Sequence, residues 1–199
     1  MIAETPLCKL AQKYGTDKSP WISDESWGHN YSPVYYERLK DKRKTFKKVL
    51  EMGVGMGKSM PQRVRRLPHY ILGASLYMWR DFFPNAQIYG ADILEECVFK
   101  KDRIETFLCD QRKKEDLENL IKKTGTDIDL FIDDGSHIPE HQIFTCLILK
   151  PLLKKDCIYV IEDVRHREIQ IEIEKAGYKV EYQMFRQKHG FDDRLFFIT

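Results

Sequence analysis

The segment Asp129-Leu130-Phe131-Ile132-Asp133-Asp134-Gly135-Ser136-His137 passes from an apolar run into carboxylates, and Cys157-Ile158-Tyr159-Val160-Ile161-Glu162-Asp163 does the same. Short apolar runs bounded by turn residues and separated by a helix-length segment have the pattern of strands buried on both faces of a parallel sheet. The C-terminal ends of two such strands lie side by side, and open α/β sheets place their ligands at that edge. Carboxylates gathered there raise one another's pKa unless a cation neutralises them, and a hard cation such as Mg2+ takes oxygen ligands. His137, three residues beyond Asp134, is placed to act as a base, so the constellation predicts metal-assisted proton abstraction.

Adjacent strand residues face opposite sides, so only one of Asp133 and Asp134 is expected to meet a metal directly. Structural readings stand beside this one. His137 can cap the following helix or satisfy a turn carbonyl, and Glu162 and Asp163 can cap the helix near Arg167. The convergence of these groups favours chemistry.

Working outward, the spacing predicts helices over Thr5 to Tyr14 and Pro33 to Lys40, separated by a polar and aromatic stretch with Pro20 and Gly28 as breakers. Together they form an N-terminal cap over residues 1–45. The core, residues 46–199, begins with the strand Lys48 to Met52, followed by a glycine loop and a helix over Ala74 to Phe83. Strands are expected at Ala86 to Ile93, Ile104 to Cys109, Asp127 to Asp133 and Cys157 to Ile161. Helices are expected at Glu115 to Lys123, at Glu140 to Leu153 with Pro151 interrupting it, and at Arg167 to Ala176, with Gly177 as its C-cap. Lys179 to Phe185 and Arg194 to Thr199 close the chain as a hairpin. Repeated βα units ending in a hairpin predict one α/β domain with a seven-stranded, mostly parallel sheet and one antiparallel strand.

The chain's 199 residues suffice for one domain with a sizeable core. Lys plus Arg, 33, nearly balance Asp plus Glu, 31, which gives no field that commits the protein to nucleic acid or membrane. Lys40 to Lys48 and Arg63 to Arg66 read as solvated faces. Five cysteines without C-x-x-C spacing, mostly among apolar neighbours, predict reduced, buried thiols. Neither a leader nor a bilayer-length apolar run is visible, so a cytoplasmic protein is expected.

Glu51-Met52-Gly53-Val54-Gly55-Met56-Gly57 follows the first core strand, and its glycines allow a sharp turn and close approach to a ligand. Asp92 ends the next strand, placed for ribose hydroxyls, and Asp110 ends the third, placed to meet an adenine. A dinucleotide fingerprint needs its third glycine at position 58, where Lys58 stands. A Walker loop needs a glycine at position 52, where Met52 stands, and Pro61 breaks the helix that would follow. Tyr77, Trp79, Phe82 and Phe83, at helical spacing, read as core.

In these residues the chain resembles the class I S-adenosylmethionine-dependent methyltransferases, and more narrowly the Mg2+-dependent sugar O-methyltransferases of the macrolide deoxysugar type. The motifs that carry the resemblance are Lys13-Tyr14-Gly15-Thr16-Asp17-Lys18, Leu50 to Gly55, Gly73 to Trp79, Phe83 to Asp92, Ile132 to His137 and Ile161-Glu162-Asp163. The resemblance implies a Rossmann-like fold, with S-adenosylmethionine and Mg2+ or Mn2+ as cofactors. It makes Asp134, Glu162 and Asp163 the metal ligands and His137 the base. It gives the cofactor Glu51, Gly53, Gly55, Ser75, Asp92, Ile93, Asp110 and Gln111, with Asp133 at its methionine end and Tyr14 and Lys18 closing from the cap. His29, Tyr31, His166 and Asp193 are candidates for touching the acceptor. The implied acceptor is a sugar or glycan, with rhamnose or another deoxyhexose the first to try. Relatives of this kind act in antibiotic tailoring and in glycan decoration, including that of large viruses, where the location would be the host cytoplasm. A catechol acceptor, whose enzymes use a lysine base, is the nearest alternative, and a noncatalytic nucleotide-binding module is the alternative from another class. Homo-oligomerisation is left open. The departure from the family pattern is the basic insertion from Met56 to Leu72, which carries Lys58, Arg63, Pro61 and Pro68.

Overall fold

The computed structural model describes residues 3–21, 28–55, 71–184 and 194–199. Most of the basic insertion, including Lys58 and Arg63, and the candidate Asp193 therefore lie outside the described residues.

Eight strands form one sheet: β1 (Lys48–Met52), β2 (Gln87–Asp92), β3 (Lys100–Lys101), β4 (Ile104–Leu108), β5 (Leu130–Asp133), β6 (Ile158–Ile161), β7 (Val180–Met184) and β8 (Arg194–Ile198). Their order is β3-β4-β2-β1-β5-β6-β8-β7. From β4 to β6 every pairing is parallel, whereas β8 runs antiparallel to both its neighbours. The expected mixed sheet is present with one addition. The two-residue β3 pairs antiparallel with β4 at the edge, too short to leave a periodicity in the sequence.

Six helices are described: α1 (Pro6–Tyr14), α2 (Tyr31–Leu39), α3 (Ala74–Phe82), α4 (Lys114–Thr124), α5 (Pro139–Leu149) and α6 (Glu168–Lys175). Thr5 caps α1 by accepting the amide of Cys8 at 3.2 Å, and Gly15 ends it in the left-handed conformation with φ of 73°. The second helix starts earlier than expected, at Tyr31, because Pro33 sits in its first turn, where a missing N–H leaves no bond unmade. Conversely, α5 stops at Leu149, and the residues around Pro151 form a turn.

Strand alternation sends side chains to two layers. Val49, Ile88, Ile132 and Val160 meet Leu7, Tyr35, Leu76, Trp79 and Phe82 of α1 to α3 on one face. On the other, Leu50, Phe131, Tyr159 and Ile161 meet Leu117, Leu120, Cys146, Leu149, Ile169 and Ile173 of α4 to α6. Trp79, Phe82 and Phe83 are fully buried, as core residues. All five cysteines are buried and free. No helix among the described residues is long and apolar enough to cross a membrane.

Candidate active site

The chain leaves β1 toward β2 on one side and reaches β5 on the other, so the strand order reverses between β1 and β5. A crevice at the carboxyl ends of the strands follows from that reversal. Here it is a cavity of about 660 Å3 lined by the loops after β1, β2, β4, β5 and β6 and by Thr16, Asp17 and His29 of the cap. The loops are pinned to one another. Gly53, with φ of +93°, lies so close to β5 that a Cβ there would stand 2.0 Å from the Asp134 carbonyl oxygen. Asp92 accepts the Val54 amide at 2.8 Å and the Leu94 amide at 3.0 Å, which fixes the glycine loop against the turn after β2. Arg112 grips Asp110 with Nε on one carboxylate oxygen and Nη2 on the other, each at 2.8 Å, and holds its carboxyl at about 2.

Gln111 is turned inward. Its amide nitrogen lies 3.3 Å from Asp133 Oδ1 and 3.2 Å from Thr145 Oγ1, and its oxygen accepts the Ser136 amide at 2.7 Å. A Cβ on Gly135 would come within 2.3 Å of that oxygen, which is why a glycine stands between Asp134 and Ser136. Asp133 lies fully buried on the far side of β5, and burial pushes its carboxyl up to about 7. Of the two adjacent aspartates, only Asp134 faces the cavity.

Around Asp134 the acidic groups separate into two sets. Lys18 Nζ sits 2.6 Å from Asp134 Oδ2, 2.6 Å from Glu162 Oε2 and 3.2 Å from Glu51 Oε1. The remaining oxygens of those glutamates are taken by the Tyr35 hydroxyl, at 2.6 Å from Glu162 Oε1, and by Trp79 Nε1, at 2.7 Å from Glu51 Oε2. On the other side, His137 Nε2 lies 3.1 Å from Asp134 Oδ1, and its Nδ1 lies 3.3 Å from Asp163 Oδ2. The Tyr31 hydroxyl donates to Asp163 Oδ1 at 2.5 Å, and His29 stacks on Tyr31 with its Nδ1 3.7 Å from the same oxygen. His137 and Asp163 both adopt left-handed backbone, with φ of 56° and 52°. Non-glycine residues held in that region cluster at functional sites.

Burial dominates the ionisation here. It lifts the Glu162 carboxyl to about 8, with Asp134 and Glu51 adding to the effect against Lys18, and it raises Asp163 and Glu51 as well. Burial works against the His137 imidazolium, but its hydrogen bond to Asp134 and the charges of Asp134 and Asp163 prevail and push it up to about 9. Asp134 is held low by Lys18 and His137 in spite of its burial. The Lys18 ammonium also overcomes burial and is held well above its ordinary value by Asp134, Glu162 and Glu51.

The cavity brings together Gly53, Gly55, Ser75, Asp92, Ile93, Asp110, Gln111, Asp134, His137, Glu162, Asp163 and His29 from the sequence-derived set. Six others stand elsewhere. Glu51 and Lys18 lie beneath the site in the buried ion cluster, and Tyr31 is fully buried behind Asp163. Tyr14, expected to close over the cavity, instead donates to Asp81 and stacks on Tyr77 at 5.6 Å. His166, expected near the acceptor, is exposed and outside the lining. Asp133, expected at the cofactor's methionine end, is also excluded from the lining, because the strand alternation turns it to the opposite face. His137 caps nothing, since α5 begins after Ile138 without a side-chain cap, and α6 has none from Glu162 or Asp163.

The sequence reading missed His141, whose Nδ1 lies 2.9 Å from Ser136 Oγ at the cavity wall. Its signal was available: it stands four residues after His137, in the first turn of a helix that opens at the site.

Strand order, switch-point cavity and glycine loop define a protein with the class I methyltransferase fold. Its structural neighbours include the N-methyltransferase NodS from Bradyrhizobium japonicum WM9, with a TM-score of 0.53 at 11% identity over 83% of this chain and 91% of that one. No protein-family model matches the chain. More narrowly, it resembles O-methyltransferases of sugar-bearing antibiotics. It is 35% identical over 158 residues, 79% of this chain, to the mycinamicin VI 2''-O-methyltransferase of Micromonospora griseorubida. It is 33% identical over 80% of its length to the 8-demethyl-8-alpha-L-rhamnosyl tetracenomycin-C 2'-O-methyltransferase of Streptomyces olivaceus. The MycE methyltransferase of the mycinamycin biosynthetic pathway, solved in complex with Mg and SAH, superposes with a TM-score of 0.65 at 34% identity, covering 81% of this chain and 37% of that one. The chain spans 36% and 38% of the lengths of the two curated relatives.

Proposed function

We propose that this chain is an S-adenosylmethionine-dependent, divalent-metal-dependent O-methyltransferase that acts on a sugar hydroxyl, with His137 as general base. One observation carries the reading. A glycine-lined cavity at the switch point meets Asp134, His137 and Asp163, whose potential ligand atoms lie within 4.8 Å of one another. The similar MycE structure contains Mg and SAH, and the relatives act on mycinamicin VI and on a rhamnosyl tetracenomycin.

The residues fit a hard cation. Three buried or half-buried carboxylates, Glu51, Asp134 and Glu162, surround one lysine, a fourth, Asp163, lies across His137 from Asp134, and the positive charge between those two aspartates is carried by an imidazolium. Asp134 and Asp163, with Glu162 beside them, would hold Mg2+ or Mn2+. Bound there, the cation would supply Lewis acidity that lowers the pKa of a hydroxyl of a vicinal diol. S-adenosylmethionine would lie along Gly53, Gly55, Ser75, Asp92, Ile93 and Asp110, with Gln111 bracing the loop after β5 from behind.

The chain's own contribution to the chemistry is the placement of His137. Seated between Asp134 and Asp163, His137 is an imidazolium in the metal-free site; with a cation held by those carboxylates it would be neutral, and its imidazole would take the hydroxyl proton. Lys18 cannot take this part, because three carboxylates keep it protonated, which disfavours the lysine-base chemistry of a catechol acceptor. His29, on the cavity wall beside Asp163, is the acceptor contact that the cap supplies. We assign the protein to the cytoplasm, in keeping with its five free, buried cysteines, and invoke no nucleic-acid or membrane partner.

The test is methyl transfer to a panel of terminal monosaccharides, rhamnosides first, with and without EDTA. Transfer to at least one sugar is expected, lost in EDTA and restored by Mg2+ or Mn2+. Cofactor binding without transfer to any diol would identify a noncatalytic nucleotide-binding module instead.

A further inference from the structure

Lys18 is the least expected group in the site. It comes from the cap, far in sequence from the strands it serves, and is 1% exposed. A buried lysine needs compensation for lost hydration, and an ammonium offers three donors. Asp134 and Glu162 each accept a hydrogen bond from it at 2.6 Å, and Glu51 Oε1, a buried oxygen with no hydrogen-bond partner, pairs with it by charge at 3.2 Å. The other oxygens of the two glutamates are engaged by Tyr35 and Trp79, so the oxygens turned to this pocket have the ammonium as their cation. Asp134 alone belongs to both halves of the cluster, with Oδ2 toward Lys18 and Oδ1 toward His137. The carboxylates thus form two adjoining cation seats that share Asp134.

We propose that Lys18 is a positioning residue that permanently fills one of these two seats, so that the other is left for a single divalent cation and the site needs a docked cap to have that stoichiometry. The inference rests on the metal-dependent reading above. It concerns a different property of the site, the number of cations the carboxylates accept. With the ammonium removed and its space left open, Glu51, Asp134 and Glu162 would present an uncompensated oxygen-rich pocket next to the first, and oxygen-rich pockets with excess negative charge recruit hard cations.

The experiment counts Mn2+ bound per chain by electron paramagnetic resonance of free Mn2+, with the whole protein and no methyl donor. The wild type should bind one Mn2+, Lys18→Ala should bind two, and propylammonium, which restores the missing ammonium, should displace the second from Lys18→Ala without affecting the wild type. Lys18→Ala/Glu51→Gln, which removes one negative charge together with the positive one, should return to one. If Lys18→Ala is unfolded in EDTA, Mn2+ or propylammonium should restore its circular dichroism spectrum, and failure of both would overturn the proposal. One Mn2+ on wild type and Lys18→Ala alike would overturn this inference and leave the functional reading intact. No Mn2+ on the wild type would overturn both.

Discussion

At His137 the sequence and the structure assign one residue two faces. The backbone is left-handed, a conformation that asparagine tolerates better than most residues, so His137→Asn removes the imidazole with little added strain. Turnover should fall by about a hundredfold or more, the usual scale for loss of a general base, while the S-adenosylhomocysteine-induced rise in melting temperature is retained. Wild-type turnover in this variant would leave His137 a turn residue only. Gly53 gives the complementary case. An added Cβ would meet the Asp134 carbonyl oxygen at 2.0 Å, backbone against backbone, and no rotamer change can relieve it. Gly53→Ala should therefore abolish the S-adenosylhomocysteine-induced melting shift and lower stability by at least about 1 kcal/mol, read by urea unfolding. An unchanged shift would show that the β1 and β5 loops separate easily.

Among the elements, β1 was legible from end to end because a charged segment precedes it and a glycine follows it: Lys48–Met52 is both the expected and the observed strand. The carboxylates at the strand ends were legible for the same reason, since strand alternation and the sheet edge follow from local pattern. What could not be read is how the cap reaches the sheet. Tyr31, Tyr35 and Lys18 come from a segment whose pattern specifies short helices and a loop, whereas their partners Asp163 and Glu162 are more than a hundred residues away. Nothing local marks a tyrosine on α2 as the donor to a carboxylate just after β6. Asp133 and Tyr14 stand outside the cavity lining on the same ground, because motif membership does not say which way a side chain turns. The α2–β6 contact can be tested through Tyr35, whose buried hydroxyl donates to Glu162 at 2.6 Å. Tyr35→Phe leaves that buried carboxyl oxygen short of a donor and should cost about 1–3 kcal/mol in urea unfolding, the range for a buried polar group left unsatisfied. A loss within about 0.5 kcal/mol, as for a neutral surface change, would mean that another donor replaces the hydroxyl.

For the whole molecule, the buried groups combine into one pH dependence. Burial raises Asp133 to about 7 and Glu162 to about 8, and His137 stands at about 9. Unfolded, these groups titrate near about 3.9, 4.3 and 6.5. Over the interval from about pH 4 to about pH 9 the folded state therefore holds more protons than the unfolded chain, so the unfolding free energy falls as pH rises. The acid side runs in the opposite sense. Asp81, held against partial burial by Tyr14, Lys13 and Arg80, and Asp110, held by Arg112, both stand at about 2. Their stabilising contribution is present above the unfolded value of about 3.9 and is lost as pH falls toward about 2. Metal-free protein should thus be most stable in the mildly acidic range and lose stability toward pH 9. On the proposed function, Mg2+ would replace the proton as the positive charge between Asp134 and Asp163, so saturating Mg2+ should flatten the alkaline part of the curve and move the His137 imidazole titration, followed by NMR, below its metal-free value of about 9. Melting temperatures measured across this range in EDTA and in Mg2+ decide the matter. A metal-free profile that climbs toward pH 9 would mean that the carboxylate cluster is ionised without cost, and the need for a cation at its centre would disappear with it.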